Sequence, residues 1–162
     1  MFQPVALLLA VLLPGAGHWY LGETRRALLI ACGVLGLFFG GLLIGGIDVV
    51  DRRQDFIWFL GQGLVGPLAF GVDALHQNQL KVLDPVTNLP RSPRPSETRD
   101  PVTGKARPAP AAGRPPVSKS IGRVNEMGTL FSAIAGMMNL IVVLDASVYR
   151  ARRVRPGRME PL

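Results

Sequence analysis

The sequence predicts an all-α integral membrane protein with about four transmembrane helices and a long disordered connection between the third and the fourth. Three observations support this class. Residues 27–47 contain no charged side chain, and a helix of that length crosses a hydrocarbon core about 30 Å thick. The chain is 48% hydrophobic, with a mean hydropathy of +0.29. Three further apolar stretches provide partners for this helix.

We expect the helices at about residues 4–21, 26–50, 56–75 and 127–149. Pro4 suits the first turn of the first helix, whereas Pro14 should kink or end it near Leu13. A helix that ends there would be short, tilted or re-entrant. A secretory signal peptide is the alternative for this segment, but no Lys or Arg precedes its apolar run. Gly66-Pro67 should kink the third helix in the same way.

Small residues at four-residue spacing predict close packing of the second and fourth helices. The positions are Gly36, Gly40, Gly41 and Gly45 in the second helix, and Gly128, Ser132 and Gly136 in the fourth. Such stripes let two backbones approach closely in lipid. We favour packing within one chain over a seam between two copies, and the general glycine enrichment of membrane helices is the plainer alternative.

Residues 77–126 form a Pro-rich, basic connection with almost no periodic apolar pattern, so we expect it to be disordered. Within it, the run DPVTN at 84–88 recurs as DPVTG at 100–104. Asp followed by Pro, with Asn or Gly after, is typical of turns. Two local turns are the plainer interpretation, and a pair of docking sites for a soluble partner is the alternative.

An Arg-rich tail, residues 150–162, follows the fourth helix and should be attracted to anionic lipid headgroups. Four crossings would place seven basic residues on one side and eleven on the other, so the positive-inside rule does not fix the orientation. Lipid therefore explains the net charge of +7. We expect no nucleic-acid partner, because no folded basic domain remains. The expected location is the cytoplasmic membrane of a bacterium.

A short motif joins the first two predicted helices. Residues 14–22 read PGAGHWYLG, and Arg25-Arg26 follow. This motif resembles that of the two-transmembrane domain family, which has Gly, His, an aromatic pair, Leu and Gly where two closely spaced membrane helices meet. It is also similar to related prokaryotic membrane proteins of unknown function. His18 precedes its aromatic pair directly, one residue short of the usual family spacing. The resemblance covers about residues 5–47 and implies a helical hairpin with its turn at 14–25, without a catalytic role.

The residue types of the motif predict the same hairpin on physical grounds. Its members are Pro14, Gly15, Gly17, His18, Trp19, Tyr20, Leu21, Gly22, Arg25 and Arg26. The glycines permit tight turns and positive φ, the aromatic pair suits a membrane interface, and the arginines can extend towards headgroups. We interpret His18 as a buried hydrogen-bond donor that fixes the turn, with a pH sensor or a metal ligand as alternatives. We expect no metal site and no cofactor, because His76 and Cys32 show no ligand spacing with His18.

Four polar residues lie inside apolar segments, namely Gln62, Asp73, Asn139 and Asp145. A charge at membrane depth costs about 2.5–3.5 kcal/mol or more, and an anion at a helix C-terminus opposes the macrodipole. The plainer interpretation is that both aspartates are solvated near the headgroups, with His76 and Tyr149 as their local partners. The alternative is a polar site between helices, such as an ion or proton path.

The favoured function is a non-catalytic membrane component that assembles with itself or with other membrane proteins in a bilayer with anionic headgroups. The alternative is a small transporter or channel subunit that uses the four intramembrane polar residues. We do not expect an enzyme, since the sequence contains no nucleophile elbow, HExxH motif or phosphate-binding glycine loop.

Overall fold

The computed structural model describes residues 2–94, 96–108 and 123–148, most of which are helical. The helices are α1 (Pro4–Leu12), α2 (Ala16–Tyr20), α3 (Thr24–Gly45), α4 (Phe56–Gly63), α5 (Pro67–Leu75) and α6 (Arg123–Val148). The strands are β1 (Val82–Leu83), β2 (Pro90–Arg91), β3 (Glu97–Arg99) and β4 (Ala106–Pro108). A 3-10 turn, Ile47–Val49, follows α3, and a π-helical turn, His76–Leu80, follows α5.

Helices α3 and α6 form an antiparallel pair that runs the length of the bundle. Arg26 near the start of α3 contacts Asp145 near the end of α6; we call this the motif end. The side-chain amide of Asn125, near the start of α6, donates a 3.0 Å hydrogen bond to the carbonyl oxygen of Gly45; we call this the loop end. Both helices are long and apolar enough to cross a membrane.

Small residues set the separation of α3 and α6. A Cβ on Gly128 would lie 2.6 Å from the carbonyl oxygen of Gly41 and 2.7 Å from the Cα of Gly45. Ser132 also lies against Gly41. The predicted packing within one chain is therefore found for these four positions, because any larger side chain would force the two backbones apart.

The remaining small residues of the predicted stripes do not lie between α3 and α6. Gly136 packs against Gly61 of α4, where a Cβ would lie 2.9 Å from the carbonyl carbon of Gly61. Within the part of the chain that the structure describes, a Cβ on Gly36 or Gly40 would contact no other element within 4 Å. The two stripes on α3 therefore have different environments, which their sequence spacing alone does not distinguish.

The predicted first helix, residues 4–21, consists instead of two short helices that fold back on each other. The N–H of Gln3 donates to the carbonyl oxygen of Ser147 at the motif end, at 2.8 Å. From there α1 runs inwards to Asn139, near the middle of α6, whose amide lies 3.4 Å from the carbonyl oxygen of Ala10. The chain reverses at Gly15, with φ of 89°, and α2 returns to the motif end.

The predicted third helix, residues 56–75, is also a half-length hairpin, and it enters from the loop end. Helix α4 runs inwards until the carbonyl oxygen of Leu64 accepts a 2.9 Å hydrogen bond from Asn139. The chain reverses at Gly66, with φ of 104°. The rings of Phe59 and Phe70 then meet edge to face, with centroids 5.3 Å apart. A continuous helix would separate these residues by about 16 Å along its axis.

The prediction of about four transmembrane helices is therefore found in part: two long apolar helices are present, and the first and third segments are each a pair of short helices. Proline in each segment prevents regular hydrogen bonding, as expected. The adjacent glycine, however, adopts a positive φ that other residues avoid, so the chain turns back instead of kinking. An apolar core forms where α3, α4, α5 and α6 meet, and it includes Val34, Phe38, Phe59, Val65, Ala69 and Ala135.

Residues 82–108 contain two antiparallel β-hairpins, whereas the sequence predicts a disordered chain there. β1 pairs with β2 and β3 pairs with β4. Each hairpin is closed by one DPVT repeat, in which Asp84 or Asp100 accepts hydrogen bonds from the backbone N–H groups two and three residues later. The prediction of two local turns is confirmed. Local hydrogen bonds compensate here for the scarcity of apolar residues. The predicted connection at 109–122 and the Arg-rich tail lie outside the described residues.

Candidate functional site

The motif end is held together by a histidine, an arginine and an aspartate from three helices. Nε2 of His18 lies 2.8 Å from Oδ2 of Asp145, and Nη2 of Arg26 donates to the same oxygen at 2.7 Å. A carboxylate can only accept, so Nε2 of His18 is the donor. His18 is fully buried, while Arg26 and Asp145 are 47% and 40% exposed. This arrangement agrees with a buried donor that fixes the turn, and it attaches the motif to α6. Tyr149, the expected partner of Asp145, lies outside the described residues.

Each motif glycine meets a different requirement. Gly15 and Gly22 have φ of 89° and 84°, as the sequence predicts. Gly17 is helical, and a Cβ there would lie 2.9 Å from the Cβ of Ala10 and 3.1 Å from the Cβ of Ala146. Gly17 therefore allows α1, α2 and α6 to pack closely.

The aromatic pair of the motif lies on the surface. Trp19 and Tyr20 are exposed and line an apolar cleft of about 490 Å³ between α1, α2 and α3, together with Pro14. Leu21 packs against the buried alanines of α1 and α6, and Arg25 is exposed. The cleft therefore opens beside the aromatic pair at the motif end.

The tips of the two half-length hairpins meet in the middle of the bundle. Asn139 is fully buried, and its amide nitrogen lies 2.9 Å from the carbonyl oxygen of Leu64 and 3.4 Å from that of Ala10. Gly66 contacts the carbonyl oxygen of Val11, and a Cβ on Gly66 would lie 3.4 Å from that of Leu12. Asn139 therefore supplies donors to both tips at the point where both helices lose regular hydrogen bonding.

At the loop end, a buried ion pair joins the turn after α3 to the turn after α5. Oδ2 of Asp51 pairs with the ammonium of Lys81. Oδ1 accepts hydrogen bonds from the backbone N–H groups of Arg53 and Gln54, at 2.9 and 3.2 Å, and from the amide of Gln77 at 2.7 Å. Burial by itself raises the pKa of Asp51, but the bonds from Lys81 and Arg53 outweigh it, and the net pKa is below its ordinary value.

A second set of contacts at the loop end connects His76, Asp48 and Ser92. Nε2 of His76 lies 3.4 Å from Oδ1 of Asp48, and the Ser92 hydroxyl donates to the same oxygen at 2.7 Å. His76 is therefore not the local partner of Asp73 that the sequence suggests. Asp73 instead accepts a 2.9 Å hydrogen bond from the backbone N–H of Arg52. Through Ser92 and Lys81, the β-hairpin segment is attached to the bundle.

The structure does not bring the four predicted intramembrane polar residues together. Asp145 lies at the motif end, Asn139 in the middle and Asp73 at the loop end. The amide of Gln62 donates a 2.9 Å hydrogen bond to the carbonyl oxygen of Val49. Each is bonded to a different part of the chain, which argues against a continuous polar path among the described residues.

Sequence reasoning did not group the residues that the loop end brings together, which are Asp48, Asp51, His76 and Lys81. The available signal is the spacing of Asp48 and Asp51, three residues apart directly after an apolar helix. Their partners, however, lie beyond a hairpin whose reversal the sequence does not reveal.

These features define a mostly helical protein with two helices that are long and apolar enough to cross a membrane. Residues 5–158 match a family of unknown function, DUF6677, and the chain belongs to this family. The match spans both half-length hairpins and both long helices, and it does not show the narrower two-transmembrane resemblance. No curated protein and no solved structure matches the chain.

Proposed function

We propose that this chain is a non-catalytic integral membrane protein that acts as an assembly component and binds a partner helix through α3. In this proposal α3 and α6 cross the bilayer, and the two half-length hairpins enter it from opposite sides. The observation that carries the proposal is an open glycine face. A Cβ added at Gly33, Gly36 or Gly40 would meet no atom of the described residues within 4 Å, apart from its own helix backbone and chain neighbours. Gly41 and Gly45 of the same helix are packed against α6.

The open glycines form part of one continuous stripe. Leu29, Gly33, Gly36, Gly40 and Leu43 are separated by four, three, four and three residues, so they lie along one side of the helix. Leu29 and Leu43, at the ends of the stripe, are 75% and 87% exposed. A glycine inside a helix costs about 0.5–1 kcal/mol relative to alanine. Close approach of a second backbone compensates for that cost in lipid, and this favours a partner helix on the stripe.

A transporter or channel subunit is the second candidate. Half-length helices that meet at a polar residue in mid-bilayer are typical of several transporter folds, and Asn139 occupies such a position here. The separate bonding of Gln62, Asp73, Asn139 and Asp145 makes this candidate the weaker one. Ion flux in liposomes that is lost in Asp145→Asn would support it.

The partner most directly tested is a second copy of the chain, because Cys32 lies beside the stripe. It is the single cysteine of the sequence and is exposed. Mild oxidation of full-length protein in its native membrane should give a disulfide-linked dimer. The double variant Gly36→Leu with Gly40→Leu should abolish that product, because the two larger side chains prevent close approach.

A matched control comes from Gly71 on α5, where an added Cβ likewise has no neighbour among the described residues. Gly71→Leu should leave the yield of the cross-linked dimer unchanged. A second control moves the thiol to α6, in Cys32→Ala with Ile141→Cys, where the exposed position should not cross-link. Equal dimer yields in the Gly36/Gly40 double variant and in wild type would contradict assembly through this stripe.

A further inference from the structure

We propose that Asp48, Asp51 and His76 at the loop end bind a divalent transition-metal cation, with zinc the best match. One ligand atom from each residue lies within 4.8 Å of the others. All three residues are at most 2% exposed. Histidine nitrogen with carboxylate oxygen is a donor set that binds zinc in proteins. This site is distinct from the glycine stripe on α3 and does not depend on the proposed assembly role.

The ring of His76 is oriented as a metal ligand requires. Its Nδ1 lies 3.3 Å from the carbonyl oxygen of Val50. Because a carbonyl can only accept, Nδ1 is the donor, and the tautomer with this proton has its lone pair on Nε2, as a metal ligand needs. A backbone carbonyl that fixes the other ring nitrogen is the usual outer partner of a metal-bound histidine.

Nε2 of His76 is buried and has no hydrogen-bond partner among the described residues. It points towards the Asp48 carboxylate, with 3.4 Å between Nε2 and Oδ1. That distance exceeds the roughly 2.9 Å typical of an N–H···O hydrogen bond. A lone pair on Nε2 and a carboxylate oxygen that face each other in a buried space repel each other unless a cation or a proton lies between them, so the contact points to a ligand.

The same distance indicates the geometry of the cation. Bonds of about 2.0–2.1 Å in a tetrahedral zinc site separate two ligand atoms by about 3.4 Å. An octahedral magnesium site with bonds of similar length would bring them to about 3.0 Å, and magnesium prefers oxygen to imidazole nitrogen. The spacing of His76 and Asp48 therefore favours zinc.

Lys81 competes with a metal cation for the carboxylate of Asp51. Its ammonium is paired with Oδ2 of Asp51, so it neutralises that carboxylate and competes with a cation for it. Ser92 donates to Oδ1 of Asp48 and has to share that oxygen with the metal. Lys81→Met should therefore increase the affinity for zinc, whereas a merely structural role for the cluster predicts no such gain.

The test uses the full-length protein in detergent micelles, freed of metal with a chelator. Isothermal titration with zinc should give one site per chain, and tetrahedral cobalt bound in its place should absorb visible light. His76→Gln and Asp48→Asn should each weaken zinc binding by at least about tenfold, because each removes one ligand. The matched control is His18→Gln, at the other buried histidine of the described chain, and its zinc affinity should stay close to that of wild type.

The proposal is overturned if folded wild-type protein shows no saturable zinc binding. A proton, and not a metal, would then lie between His76 and Asp48. Equal affinity in wild type, His76→Gln and Asp48→Asn also overturns it, because the metal would then bind elsewhere. Loss of binding in a correctly folded His18→Gln variant has the same consequence. The wild-type titration decides the question even if a ligand variant fails to fold.

Discussion

His18 and Asp145 are 127 positions apart in the chain, and a 2.8 Å hydrogen bond joins Nε2 of the first to Oδ2 of the second. This bond fastens the end of the first half-length hairpin to the end of α6. Arg26 at the start of α3 donates to the same oxygen at 2.7 Å, so one carboxylate connects three helices. The motif around His18 therefore serves a tertiary contact as well as a turn.

Replacement of Asp145 should destabilise the motif end. Asp145→Leu removes both hydrogen bonds to a charged acceptor, and we expect the free energy of unfolding to fall by about 1–2 kcal/mol because the carboxylate is partly exposed to solvent. Asp145→Asn keeps an acceptor oxygen and should lower the free energy of unfolding by a smaller amount. Chemical denaturation in micelles measures both. A double-mutant cycle with His18→Gln should be non-additive, and strict additivity would show that the two side chains do not interact.

Replacement of Asn139 should loosen both half-length hairpins. Asn139→Leu leaves the carbonyl oxygens of Leu64 and Ala10 without their donor, at an expected cost of about 1–3 kcal/mol. Faster hydrogen exchange of backbone amides at both hairpin tips should accompany this loss. Met138→Leu, at the neighbouring exposed position, is the control and should leave exchange unchanged. Increased exchange at only one tip would mean that Asn139 supports only one hairpin.

Two glycine-to-alanine changes should have opposite signs. Gly128→Ala places a Cβ 2.6 Å from the backbone oxygen of Gly41, and overpacking of this kind destabilises a protein by about 1–3 kcal/mol. Gly71→Ala in α5 meets no atom of another described element and should raise the free energy of unfolding by about 0.5–1 kcal/mol through helix propensity. Thermal unfolding of the two variants compares them directly. A stable Gly128→Ala variant would indicate that α3 and α6 lie further apart.

The proposal that α3 and α6 cross the bilayer makes, together with the two half-length hairpins, a specific prediction about membrane sidedness. In a Cys32→Ala background, single cysteines at Gln54 and Thr87, both exposed, should react with a membrane-impermeant maleimide from the same side, because α4 and α5 return to the loop end. A continuous third helix would place them on opposite sides. A cysteine at Gly22, at the motif end, should react from the other side and serves as the control.

The β-hairpin segment should lose stability only in strong acid. Hydrogen bonds from Arg91 lower the pKa of Glu97 to about 2, and the backbone N–H groups of Thr87 and Val86 lower that of Asp84 to about 2. Both pKa values lie below those of the unfolded chain, so the stabilisation is present above about pH 4.5 and disappears as the pH falls through about 2. Carboxyl chemical shifts from NMR measure both midpoints.

Arg91→Gln separates the two contributions within that segment. Removal of the guanidinium should raise the pKa of Glu97 more than the pKa of Asp84. The hydrogen bond from Arg91 is the largest cause of the low pKa of Glu97, whereas backbone N–H groups are the largest cause of the low pKa of Asp84. Equal shifts of both midpoints would contradict this assignment.

Several local features of the fold are predictable from the sequence. The two long apolar helices are recognised by length and hydropathy. Helix α1 ends at Leu12, close to the position that Pro14 predicts, and α5 begins at Pro67. Both DPVT runs form the expected turns. Each of these depends on φ preferences and hydrogen bonds within a few residues, which the residue types determine directly.

The packing of the glycines and the clustering of the charges were not predictable in this way. Gly36-Gly40 and Gly41-Gly45 have the same spacing, yet only the second pair packs against α6. Asp48 and His76 are separated by the whole α4–α5 hairpin, and the spacing of either residue gives no indication of the other. Such contacts depend on how elements that are distant in the chain pack together, and many residues contribute to that packing.

The sequence by itself determined the helical class, the two long apolar helices, the helix breaks at Pro14 and Gly66-Pro67, and the turns of the β-hairpins. Only the tertiary structure decided that the chain turns back at each break. It also decided that His18 forms a hydrogen bond with Asp145 and that the side chains of Asp48, Asp51 and His76 form one buried cluster. The physical reason is that proline and glycine limit the local backbone angles, whereas packing against α6 selects which of the permitted directions the chain takes.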